Sequence, residues 1–274
     1  MIDMLTLPFM QTALAASLLI GLICSFIGVY IVLKRIVFVG AAIANISTAG
    51  IAFAILMGFN PEFFSLLFAV AGVLLFSISV RKGQKKIPAE SIIGIAYGVS
   101  SALGILLVAK SATGESHVLS LIFGNILAVS VNQLKIIAIA FPVILLIHYL
   151  FSKEFLFTSF DTEMAKTLGI KTTLWEIIFY ITLGVTISLS IHVAGALLTF
   201  TYLVIPATTA LIVTGKLKFV FIFSVIFGII SSFSGMYVSY IIDLPSGPTI
   251  VVTSFILCTA IIIISKIRKI LAFN

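Results

Sequence analysis

The chain has 274 residues, of which 61% are apolar and only 9% charged, with a formal net charge of +7 at pH 7 and a mean hydropathy of +1.32. A water-soluble fold cannot hide that much apolar surface, so the composition excludes a soluble enzyme or binding module and implies a polytopic helical membrane protein. The basic excess is not a nucleic-acid footprint, because no basic stripe with interleaved aromatics occurs and Lys and Arg gather between apolar runs, as the loops that stay in the cytoplasm do.

Roughly 20 apolar residues span hydrocarbon, and on that measure the runs 8–33, 37–58, 61–80, 89–109, 134–151, 174–192, 193–214, 219–242 and 245–265 read as nine crossings. The first lacks a positively charged leader and is too long for a cleavable signal, so it is expected to remain as a span. The run 118–131 is too short to cross easily and lies between Gly114 and Asn132, which suits a half-helix or re-entrant segment lining protein or water. The fold class is therefore all-α: a polytopic membrane bundle of about eight to nine transmembrane helices, a re-entrant piece and a cytoplasmic helix, within a single transmembrane domain covering 1–274.

With the N-terminus outside, 14 of the 16 basic residues fall on the cytoplasmic side, leaving only Lys110 and Lys135 outside; the C-terminus is then cytoplasmic. Cys24 and Cys258 lie within spans and read as small packing residues rather than a disulfide or metal pair. The stripes Gly21, Ser25, Gly28 and Gly94, Gly98, Ala102 place small residues one helical turn apart, which lets helix backbones approach in lipid. Pro206 is expected to kink or break the helix over 193–214, freeing carbonyls near Thr201, Tyr202 and Thr208.

Between two spans lies a polar insert, residues 159–170. Asp161 precedes a short amphipathic turn, 162–168, in which Met164, Ala165 and Leu168 form an apolar edge and which Gly169 can terminate. Two readings suit such an element: an interfacial linker resting on headgroups, or a helix that docks a cytoplasmic partner.

Seven stretches in order carry a resemblance: Gly28 to Gly40 (GVYIVLKRIVFVG), Glu90 to Ile95 (ESIIGI), Leu121 to Leu127 (LIFGNIL), Phe160-Asp161, Gly195 to Leu198 (GALL), Ile205 to Ala210 (IPATTA) and Asp243 to Thr249 (DLPSGPT). Together they resemble the permease subunits of bacterial ATP-binding-cassette importers for zinc, manganese and iron, and the likeness runs over most of the chain. It implies a homodimer in the inner membrane, a dimer of cytoplasmic ATPase subunits carrying ATP and magnesium, and an extracytoplasmic solute-binding protein. It also implies that the segment 152–172 contains a coupling helix, with Phe160, Asp161, Ala165 and Gly169 carrying the contact. No Walker A sequence occurs in the chain, so either a separate subunit hydrolyses ATP and this chain is expected to be a transporter subunit rather than an enzyme, or the chain is not an ABC protein.

Members of that family commonly carry an Asp and a His four residues apart after the Phe-Val-Gly motif; here those positions hold Ala41 and Asn45. Residues at i and i+4 share a helix face, so Ala41, Asn45, Thr48 and Ala52 form a small neutral stripe. With Thr201 and Pro206 they are the expected translocation path. The substitution leaves three cargoes open: a divalent transition metal, a metal chelate or a non-metal solute. An ion-gradient-driven secondary transporter is the rival mechanism. The Asn45 amide is either a weak substrate ligand or a helix-to-helix hydrogen bond. Among the histidines, His192 is the candidate metal ligand, with a headgroup-level imidazole as its bland alternative, and His148 reads as interfacial. Glu62, after Asn60-Pro61, reads as a helix N-terminal charge.

Overall fold

The computed structural model describes residues 7–83, 89–110 and 126–272. Among them are ten α-helices, one 3-10 turn (Ile126–Ala128) and no strand. The helices are α1 (Pro8–Leu33), α2 (Val39–Met57), α3 (Pro61–Gly83), α4 (Ala89–Ala109), α5 (Val131–Leu150), α6 (Ser152–Phe160), α7 (Thr162–Thr167), α8 (Thr172–Val213), α9 (Leu217–Ile242) and α10 (Ser246–Ala272). Seven of them are long and apolar enough to cross a membrane, and α3 adds a shorter apolar stretch, Pro61–Ser77. At 1.5 Å per residue the 42 residues of α8 exceed the ~30 Å hydrocarbon thickness about twofold, so α8 has length for two of the nine expected crossings. Of the half-helix expected over 118–131, residues 118–125 lie outside the described residues.

Helix ends follow local chemistry. α3 starts where Asn60 Oδ1 accepts the amides of Glu62 and Phe63 at 2.9 and 3.1 Å, with Pro61 in the first turn, where its missing N–H costs nothing. Asn60, not Glu62, is therefore the cap, and Glu62 sits in the dipole-favoured first turn. The break in α8 falls at Gly195, with φ 82° and ψ 165°, a region essentially closed to residues with a Cβ. The expectation of a break at Pro206 is corrected: α8 continues helically through it. Proline removes one backbone hydrogen bond but keeps a helix-compatible φ, and neighbouring hydroxyls occupy carbonyls nearby, with Thr208 Oγ1 donating to Val204 O at 2.9 Å and Thr209 Oγ1 to Ile205 O at 2.7 Å.

The chain forms two compact units and passes between them four times. One holds Met1–Val32, Phe123–Ala138 and Val193–Asn274, and the other holds Leu33–Ile122 and Ile139–His192. In the first unit small residues and hydroxyls join the helices, as expected where lipid removes the hydrophobic drive between them. Gly28 of α1 lies so close to Leu203 of α8 that any Cβ would collide with its carbonyl. Ser224 Oγ donates to Ser25 O at 2.7 Å, and Tyr202, fully buried, shares hydrogen bonds with Ser17 at 3.0 Å and Ser232 at 2.5 Å. The stripe Gly21, Ser25, Gly28 is thus a packing seam. In the second stripe a Cβ at Gly94 or Gly98 would meet nothing within 4 Å among the described residues.

In the second unit a buried hydroxyl chain links three helices. Ser65 of α3 pairs with Ser47 of α2 at 2.5 Å and with Ser188 of α8 at 3.1 Å. Each such interhelical bond contributes about 0.6 kcal/mol; the chain sets register more than it adds stability. Among the described residues neither Cys24 nor Cys258 forms a disulfide.

Candidate coupling elbow and polar helix faces

The polar insert folds as an elbow. α6 ends at Phe160, Asp161 turns to extended backbone (φ −152°, ψ 100°), and its Oδ1 accepts the amides of Glu163 and Met164, each at 2.9 Å. That is the N-cap which the spacing predicts, and it satisfies two of the first amides of α7. At the far end Gly169 adopts φ 78°, its amide donates to Lys166 O at 3.0 Å and the Ile170 amide reaches Ala165 O at 3.1 Å, a Schellman closure that requires the left-handed conformation glycine takes without strain. A Cβ there would meet no neighbour, so backbone conformation alone selects the residue.

The elbow has a buried footing and an exposed face. Ala165 is fully buried, whereas Phe160, Met164 and Leu168 are 57%, 53% and 56% exposed. Of the four expected contact residues, Phe160 therefore presents a surface, Asp161 and Gly169 shape the two ends, and Ala165 seats the helix. The apolar edge expected over Met164, Ala165 and Leu168 is redrawn as Phe160, Met164 and Leu168.

Behind the elbow stands an aromatic cluster. Phe155 of α6 is fully buried, stacks on His148 of α5 at 4.4 Å between ring centroids and meets Trp175 and Phe179 of α8 edge-on or tilted at 5.5 and 6.4 Å. His148 is buried, not interfacial, because α6 folds back over it; its Nδ1 faces Ile144 O at 3.0 Å and its Nε2 faces Thr182 Oγ1 at 3.5 Å. Lys34, in the junction between α1 and α2, also reaches this cluster: its Nζ donates to Thr158 O at 3.1 Å and lies 5.2 Å from the centre of the Phe179 ring. Burial holds the Lys34 ammonium well below the usual lysine range, at about 8, partly opposed by the Glu176 carboxylate. Sequence reasoning counted Lys34 only as a charge; Thr158 lies 124 residues away.

The neutral stripe on α2 is engaged rather than open. Asn45 Nδ2 donates to Ser101 Oγ of α4 at 2.8 Å, Thr48 Oγ1 turns back to Ala44 O at 2.9 Å, Ala52 is buried and Ala41 half-buried. Of the two readings for Asn45, the structure shows the helix-to-helix bond. Thr201 and Pro206 belong to the other compact unit; both are buried, and Thr201 Oγ1 donates to Leu197 O at 2.9 Å. His192 closes the second unit as a half-buried side chain within electrostatic reach of Glu62, and its Nε2 is buried without a hydrogen bond. Among the described residues no group of three or more His, Cys, Asp or Glu side chains is placed to hold a metal ion.

Comparison with known proteins supplies a context for this geometry. The manganese transport system membrane protein MntC of Listeria monocytogenes is 32% identical over 251 residues, which is 91% of this chain and 88% of that protein. A probable iron transport system membrane protein of Haemophilus influenzae is 31% identical over 92% of this chain and 89% of its own length. Among solved structures, PsaBC from Streptococcus pneumoniae in complex with Fab superposes with a TM-score of 0.82 at 29% identity, covering 96% of this chain and 93% of the other. The description of the ABC 3 transport family matches residues 6–266, and with that match over nearly its whole length the chain belongs to the ABC 3 transport family.

Proposed function

We propose that this chain is the membrane permease of an ABC importer for a divalent transition metal, with ATP and magnesium bound by a pair of separate ATPase subunits at the cytoplasmic face. The carrying observation is the elbow: a short helix capped at both ends, footed on a buried aromatic cluster and offering Phe160, Met164 and Leu168 to an aqueous partner. An exposed apolar row on a short capped helix fits a cleft in a protein, and membership of the ABC 3 transport family supports an ATPase as that partner. It also favours that reading over an ion-gradient mechanism. The cargo reading draws on the relatives described as manganese and iron transport proteins.

In this reading 1–274 works as one permease domain and pairs with a second copy in the bacterial inner membrane. The N-terminus lies outside, a solute-binding protein delivers cargo there, and the elbow shares the cytoplasmic side with most of the basic residues. ATP binding draws the two elbows together and switches the translocation path. Ala41, Asn45, Thr48 and Ala52 on α2 and Thr201 and Pro206 on α8 are the residues assigned to that path, and among the described residues His192, whose Nε2 makes no hydrogen bond, is the imidazole offered to cargo. A metal chelate or non-metal solute is the second reading, favoured by the engaged Asn45 amide, which leaves the α2 face without a strong ligand for a bare transition metal.

The test is the manganese, iron and zinc content of metal-starved cells with and without this chain, complemented by the intact protein or by Phe160→Ala/Asp161→Ala. Loss of one metal that only the intact protein restores supports the reading and names the cargo. Unchanged metals overturn the bare-metal cargo, and restoration by the double variant overturns the elbow's role.

A further inference from the structure

We propose that Lys34 is the positioning residue of the coupling elbow: reaching from the α1–α2 junction to the last turn of α6, its ammonium fixes the direction in which α7 leaves the bundle. The last carbonyls of a helix have no intrahelical donor, and at Asp161 the chain turns to extended backbone, so the Thr158 carbonyl cannot bond along a continuing helix. It accepts instead from Lys34 Nζ at 3.1 Å and, at 3.5 Å, from the Thr162 hydroxyl. A cation at a helix C-terminus is favoured by the aligned peptide dipoles, and the Phe179 ring beneath it, itself fully buried, favours a cation over a neutral group.

The junction that delivers Lys34 is itself unusual. Arg35 holds φ 57°, a left-handed conformation strained for a residue with a Cβ, and it turns the chain between the end of α1 and the start of α2. Strain at such a place persists only when its surroundings fix it, and the Lys34 contacts on α6 and α8 do so. A partly buried ammonium is a poor stabiliser, since apolar replacements of buried charges are often neutral or better. Its worth here lies in geometry. Any displacement of the α1–α2 junction is passed through the Lys34 head to the stem of the elbow, and any push on the elbow is passed back.

That α7 docks an ATPase rests on the function proposed above; that Lys34 holds the elbow does not, and the experiment separates the two. Lys34→Met, Lys34→Gln and Lys34→Arg are compared with the parent in nanodiscs by amide exchange over 152–170, and in cells by Mn2+ uptake. In Lys34→Met and Lys34→Gln, exchange in that segment rises about tenfold while the rest of the chain and the melting temperature hold; Lys34→Arg restores protection. Unchanged exchange in Lys34→Met, exchange that rises throughout the chain, or failure of Lys34→Arg to restore it overturns the proposal. Loosened elbows with full Mn2+ uptake uphold the positioning role of Lys34 and overturn the coupling reading instead.

Discussion

The side-chain amide of Asn45 donates to the hydroxyl of Ser101 at 2.8 Å, joining α2 to α4. On that bond a packing role is expected for Asn45, with any contact to cargo secondary. Asn45→Ala and Ser101→Ala are expected to lower stability by about 0.6 kcal/mol each, and the double variant by little more, since either change alone breaks the same pair. Mn2+ uptake stays within about threefold of the parent, because a shift of ~0.6 kcal/mol is less than a factor of three in any equilibrium. A loss of uptake by tenfold or more in Asn45→Ala, with folded protein at normal levels, would return Asn45 to the role of a cargo ligand.

Asp161 acts through backbone amides, so its chemistry tolerates replacement by other capping residues. Asp161→Ala removes both bonds to Glu163 and Met164, costs about 1 kcal/mol and is expected to fray α7, whereas Asp161→Ser and Asp161→Asn keep it. A helix of 6 residues has no propensity of its own to fall back on. Uptake should therefore rank parent, then Ser and Asn, then Ala. Equal loss in all three variants would show that the carboxylate charge itself touches a partner.

Gly195 and Pro206 make opposite demands on α8. Gly195→Ala forces a Cβ into φ 82°, ψ 165°, at a cost on the order of 1–3 kcal/mol, and reduces the yield of folded protein. Pro206→Ala restores a backbone donor in a helix that is already continuous there and leaves yield unchanged or raised. Size-exclusion profiles of the two variants decide the matter, and the reverse ranking would place the functional break at Pro206.

These contrasts show which parts of the molecule are written locally. The Asp161 cap and the Gly169 closure are legible because both ends of each hydrogen bond lie within a few residues, and their side-chain preferences are steric or electrostatic necessities. The spans are legible because lipid imposes length and hydropathy. The break at Gly195 is missed because proline is the stronger breaker by reputation, yet proline keeps a helix-compatible φ and α8 runs on through Pro206, whereas only the glycine can adopt the φ and ψ of the break. His148 is misplaced for a different reason: counting residues from the end of a span puts it near headgroups, but Phe155 returns from α6 to cover it. Hydroxyls such as Ser47, Ser65 and Ser188, meeting across 18 and 123 positions, carry no mark of their partners in sequence at all.

Lys34 gives the chain a pH signature with a fixed sign. Burial lowers its folded value to about 8 from 10.5, with Glu176 on α8 as the charged group that opposes the shift. Below pH 8 the ammonium is protonated in both folded and unfolded chains, and the cost of burying it is fully present. Between 8 and 10.5 the unfolded chain binds more protons than the folded one, so stability rises with pH across that window. Arginine remains charged throughout, and Lys34→Arg therefore lacks the rise. The melting temperature of the parent should climb relative to Lys34→Arg by about 2 °C or more from pH 7.5 to 10, the response to ~1 kcal/mol in a chain of this size. Lys34→Met, with nothing to titrate, should share the flat profile of the arginine variant while differing from it in elbow protection. A parent curve parallel to both variants would mean that Lys34 is solvated, and that its bond to Thr158 O is not maintained in the membrane.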